Sequence, residues 1–213
     1  MGEGPVKSDA NPNDALRDRI LKFAAERKQQ QERFEVDDGF CRSMIPYVVP
    51  LLKKHVPSPD WDIRESSKVD DMAHAIDLIL VMHDQGHFPT RTVALRMRRF
   101  QYLARYADEF TIRSRIPDGR TELAKILQGW GDYIFYGFAA ENDKGIAAWL
   151  IGDLDVFRSW HRKYTAEHLG VFPGVEKQNV VSPARFTAYK VRELPHEFIV
   201  ARAKYHSTER LDW

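Results

Sequence analysis

TVALRMRRFQYLARYADEFTIRSR, residues 92–115, is the stretch on which the fold turns. Read with a period of two, Val93, Leu95 and Met97 fall on one face of a strand and Arg96 and Arg98 on the other. Phe110 and Ile112 then oppose Thr111, Arg113 and Arg115 in the same way. Read with the helical period, Val93, Met97, Phe100, Ala104 and Ala107 line one side of a helix made of residues with good helix propensity. The strand reading is preferred, because Thr92 and Val93 follow the loop DQGHFPTR and the neighbouring segments alternate. It gives a strand to about Arg98, a short helix or loop, and a second strand.

The stretch contains Arg96, Arg98, Arg99, Arg105, Arg113 and Arg115 but no lysine, in a chain of 213 residues with a formal net charge of +1. Two strands that aim Arg96, Arg98, Arg113 and Arg115 at one face call for an anion to offset the like charges. Internal carboxylates are one source, with Asp77, Glu122, Asp132 and Asp153 as candidates. Phosphate is the other, because the planar guanidinium grips it through two parallel hydrogen bonds. The sequence leaves both open. Phe100, Tyr102, Tyr106, Trp130, Tyr133 and Tyr136 lie nearby in the chain, as base-stacking platforms or as core.

Upstream, AIDLILVM alternates Ile76, Leu78 and Leu80 against Asp77 and Ile79, and DQGHFPTR closes a long-looped hairpin onto TVALRMR. Downstream, PDGR is a turn, and TELAKILQGWG predicts a short helix with Thr121 near its N-cap and Gly129 near its end. DYIFYGFAA and GIAAWLIGDL read as strands joined by ENDKG. From His161 the pattern weakens: GVFPGVEKQNVVSPAR reads as an irregular excursion, and RFTAYKV and EFIVARA as strands or short helices.

Residues 1–13 are polar and rich in Gly, Pro and Asn, which predicts a disordered tail ending at an N-cap on Asn13. Leu16, Ile20 and Phe23 then mark a helix, and DDGFCRSMIPYVVPLLKKH a second one, kinked or split at Pro46 and Pro50. The expected organisation is a tail over 1–13, an N-terminal helical segment over 14–56 and a single α/β domain over 60–213. The expected fold class is α/β (α+β), with a central mixed β-sheet flanked by helices.

Composition, at 43% hydrophobic and 30% charged, excludes general disorder. The near-zero net charge excludes bulk-charge binding to nucleic acid or membrane but leaves room for a local patch. Cys41 is the sole cysteine, so no intramolecular disulfide forms, and beside Phe40 it reads as a small buried hydrophobe. With no apolar leader and no run approaching a membrane span, the expectation is a cytoplasmic protein with no membrane partner.

The order of elements resembles the PD-(D/E)XK, or restriction-endonuclease-like, nuclease fold: a helix, an acid on a first strand, a hairpin partner, a third strand, a helix and a fourth strand. Asp77 in AIDLIL is similar to that family's first metal-binding acid, and VALRMR to its second half-motif. Arg96 and Arg98 stand where the family has Glu and Lys. The resemblance implies phosphodiester cleavage by water activated on Mg2+ held between two carboxylates. A guanidinium cannot bind that ion, so the second acid would have moved to Glu122, with Lys125 one turn later. On that version Asp77, Glu122 and Lys125 are catalytic, Asp77 and Glu122 hold the metal, and Arg96, Arg98, Arg113 and Arg115 bind phosphate. Otherwise the fold keeps its affinity for phosphate alone, and Glu122 is an acid favoured in a helix's first turn.

The leading expectation is therefore a nucleic-acid-binding or nucleic-acid-processing protein that meets DNA or RNA through an arginine face. A second expectation is a non-catalytic phage or mobile-element factor whose N-terminal helices contact a protein partner. A third is an HD-type metal phosphohydrolase, from the His-Asp pair in MHDQGH and the spacing of Asp70, His74 and Asp77. No glycine-rich phosphate loop, G-x-S-x-G elbow or dinucleotide fingerprint is present.

Overall fold

In the computed structural model of the protein, residues 36, 39–56, 61–67, 76–82, 90–115, 120–178 and 184–204 are described. The chain divides into two compact units, 1–40 and 41–213, and the architecture that follows is that of the second. The expected tail and first helix, Asp70, His74 and residues 83–87 of MHDQGH lie outside the described residues.

Helix α1, Ile45–His55, follows a turn at Met44. Pro46 sits in its first turn, where a missing N–H breaks no helical bond, and the helix continues through Pro50. Strands β1 (Trp61–Glu65), β2 (Leu78–Met82) and β3 (Thr90–Arg98) form an antiparallel meander. A single 3-10 turn and the short helix α2, Leu103–Tyr106, lead to β4, Glu109–Arg115. Helix α3, Glu122–Leu127, is capped by the Thr121 hydroxyl, which accepts from Ala124 N at 3.1 Å.

Strands β5 (Tyr133–Ala139) and β6 (Ile146–Asp153) form a hairpin, and β5 runs parallel to β3. Helix α4, Leu154–Glu167, is followed by β7 (Val175–Gln178), β8 (Arg185–Lys190) and β9 (Ile199–Ala203). The strands make a mixed six-stranded sheet in the order β1-β2-β3-β5-β6-β9 and an antiparallel three-stranded sheet, β4-β8-β7. This is the expected α+β fold with a central mixed sheet.

Strand parity gives each face of the large sheet its own cover. Leu95 and Met97 stand beside Phe135 and Gly137, and Gly137 beside Trp149. Trp149 stacks on Phe135 at 6.0 Å and meets His55 of α1 at 5.2 Å. On the other face Ala94, Ile134, Tyr136, Phe138, Ala148 and Leu150 join Leu123, Ile126 and Phe157 from the helices and Phe110, Ile112 and Tyr189 from the small sheet. Gly152 is required there, since a Cβ would stand 2.3 Å from the Phe198 ring.

The sequence reading missed β1, α4 and β7. In α4 the buried residues Leu154, Phe157, Arg158 and His161 follow the helical period. The helix begins directly at the end of β6, however, so one apolar run covers both elements. The boundary is Asp153, whose carboxylate caps α4 by accepting from Asp155 N at 2.8 Å and Val156 N at 3.1 Å.

Candidate nucleic-acid interface

Arg96 and Arg98 leave β3 on the same face, as alternation requires, beside Tyr136 and Phe138 of β5. They meet different partners. The Arg96 guanidinium donates to Glu122 Oε2 on α3, with the two side chains 28% and 11% exposed. The same oxygen accepts the backbone N–H of Arg113 at 3.3 Å. Arg96 is thus held by an internal carboxylate from among the candidates read in the sequence. Removing one partner of such a pair is costly, because it leaves an uncompensated charge in a half-dry site.

Asp77 is occupied in another way. Its Oδ2 accepts the backbone N–H of Leu95 at 2.6 Å, while its own N–H donates to Val93 O at 3.0 Å, so it fixes the entry of β2 onto β3. The two acids therefore serve separate partners, Asp77 a backbone amide and Glu122 a guanidinium plus a second amide. An Asp77–Glu122 pair in this arrangement does not fit the paired ligands that Mg2+ requires, since Glu122 already faces a fixed positive charge. Among the described residues no group of three or more His, Cys, Asp and Glu is arranged to hold a metal ion. Lys125 lies on α3, with its carbonyl accepting from Gln128 N and Trp130 N. Asp132 binds Arg91 at 2.8 Å and both the N–H and hydroxyl of Thr92 at 2.8 Å, pinning the start of β3 to β5.

The expected common face of four arginines does not form. β4 belongs to the small sheet and pairs with β8, so Arg113 and Arg115 project from a different sheet than Arg96 and Arg98. Phe110 and Ile112 alternate with Thr111 whichever sheet receives the strand, and parity alone could not distinguish the two. What joins the sheets here is Arg98, whose Nη2 donates to Thr111 Oγ1 at 2.5 Å. Thr111 Oγ1 in turn lies 3.2 Å from the Tyr136 hydroxyl. Burial pushes that hydroxyl's pKa up against the pull of Arg98 and the hydrogen bond it shares with Thr111, so it stays protonated.

A different group of cations gathers around Tyr106. The guanidinium carbons of Arg98 and Arg105 lie 5.2 and 5.3 Å from the ring centroid, and Lys177 Nζ lies 5.6 Å from it. Arg98 also stands 6.0 Å from the Phe186 ring. Beside them Glu109, only 6% exposed, accepts from Lys177 Nζ at 2.6 and 2.7 Å and from Lys190 Nζ at 2.8 Å. Burial raises the carboxyl's pKa, but the hydrogen bonds from both lysines outweigh it and hold the pKa below its ordinary value. Sequence reading found Tyr106 and Tyr102 as aromatics but missed Lys177, Lys190 and Glu109. The lysines come from positions 68 and 81 residues away from Glu109, a separation at which local spacing carries no signal.

No helix among the described residues is long and apolar enough to cross a membrane. No family model, no curated protein and no solved structure matches this chain.

Proposed function

We propose that this protein binds nucleic acid without cutting it, on a scaffold that resembles the restriction-endonuclease-like nucleases. One observation carries the reading. Arg98 and Arg105 have no carboxylate at ion-pair distance among the described residues, whereas Arg96, standing where the resemblance wants a metal-binding acid, is neutralised by Glu122. Guanidinium groups held against an aromatic ring keep their planar donor edges available to phosphate. The resemblance rests on the order helix, acid-bearing strand, hairpin partner, strand, helix and strand; here β1 stands before the strand entered through Asp77, and β4 pairs in the second sheet.

The test is fluorescence anisotropy of labelled single-stranded and duplex oligonucleotides over a range of salt, together with a cleavage assay in Mg2+ or Mn2+. The expected result is binding whose logarithm falls linearly with that of salt concentration, with no cleavage product. Absence of binding at low salt would overturn the reading. So would cleavage abolished by Asp77→Ala, which would restore the metal-nuclease version.

A further inference from the structure

We infer that the surface around Tyr106 is a site for single-stranded nucleic acid, with phosphates held by Arg98, Arg105, Lys177 and Lys190 and a base laid on Tyr102; this rests on the reading just proposed.

Charge is the first reason. Lys177 and Lys190 share the single carboxylate of Glu109, and Arg98 and Arg105 have none at ion-pair distance among the described residues, so positive charge exceeds negative among these groups in a chain whose total is +1. Glu109 lies beneath that surface, and each ammonium group carries three donors, so the bonds to one carboxylate leave donors of both lysines directed elsewhere. Arg105 is exposed on α2 and its ring contact with Tyr106 leaves the guanidinium edge open.

Shape is the second reason. Tyr102 is 43% exposed and tilted against Tyr106, with ring centroids 6.3 Å apart, so an accessible aromatic face adjoins the cations. A base in a duplex has both faces covered by its neighbours and offers only its edges in the grooves. A base in a single strand can stack on an exposed tyrosine while its phosphate meets the adjacent cation, and every base has such a face. The pairing of an open aromatic ring with clustered cations thus selects strand over duplex and is tolerant of sequence.

The test compares a labelled oligothymidine with a duplex of equal length, using anisotropy on the full chain. The single strand should bind at least about tenfold more tightly, and Tyr102→Ala should weaken it by about tenfold, with Tyr102→Phe close to wild type. Arg105→Ala should lower the slope of the log–log salt plot by about 0.7, the value for one phosphate contact on a single strand. Both side chains are exposed, and unchanged thermal melting of each variant confirms that the fold is intact. Equal affinity for strand and duplex, or indifference to both Tyr102→Ala and Arg105→Ala, would overturn the site while general nucleic-acid binding stands. Loss of binding to both probes in the wild type would overturn the broader reading as well.

Discussion

Arg96 and Glu122 are 26 residues apart in sequence and form an ion pair that fastens α3 onto β3. Because Glu122 Oε2 also accepts the Arg113 amide, one carboxylate ties β3, α3 and β4 together. Arg96→Met and Glu122→Gln should each cost about 2–4 kcal/mol, since each leaves a half-buried charge or donor without its partner. The double variant should lose less than the sum, with a coupling of about 1–3 kcal/mol in a denaturant double-mutant cycle. Strict additivity would mean that the pair does not hold the helix.

Glu109 gives the small sheet an acid limit. Its folded pKa is depressed, so between the folded and unfolded values the unfolded chain binds more protons and stability rises with pH. The contribution is complete above about pH 4.3, the ordinary glutamate value, and is lost as pH falls through the folded pKa. Denaturant midpoints measured from pH 6 downward, an acid window set by that value, should therefore decline less steeply for Glu109→Gln than for wild type. Parallel declines would remove Glu109 from the account.

His161 acts at a higher pH. Its ring is buried among Phe157, Trp160 and Phe172, with Nε2 lacking a hydrogen-bond partner, and burial lowers its pKa. Below about pH 6.5 the unfolded histidine takes up a proton that the folded one resists. Stability is thus complete above that pH and falls below it until the folded pKa is reached. His161→Phe should gain on wild type as pH is lowered from neutrality to mildly acid, read as the difference in thermal midpoint. An unchanging difference would show that the imidazole does not titrate in this way.

Leu169 occupies a position that suits glycine. It follows the α4 C-cap with φ of 52°, and Gly170 N closes the turn on Thr165 O at 2.9 Å. The side chain is 98% exposed, so its removal loses no packing. Leu169→Gly should therefore stabilise the protein by about 1 kcal/mol, the cost of a left-handed conformation for a residue with a Cβ. A loss of stability on that substitution would mean that the leucine makes a contact in solution.

The sheet was legible where the signal is local. Val93, Leu95 and Met97 alternate with Arg96 and Arg98, and Leu78 and Leu80 with Ile79, so the burial pattern could be read one residue at a time. Pairings between distant elements were not legible. Glu122 was one of four candidate carboxylates, and nothing in the spacing singled it out as the partner of Arg96. The choice of sheet for β4 depended on β8, which pairs Glu109 with Lys190 across 81 residues. The Tyr106 surface was hidden for the same reason, because its lysines arrive from β7 and β8.

The route between β3 and β5 also governs the order in which the molecule can assemble. Joining two parallel neighbours takes a crossover, and this one carries β4, a strand of the other sheet, out and back before the chain returns to β5. During synthesis β4 emerges with both edges open and keeps them so until β8 follows, which makes it the segment most in need of shielding in a nascent chain. The small sheet cannot close before the large one has most of its strands, and contacts spanning such separations slow the final step.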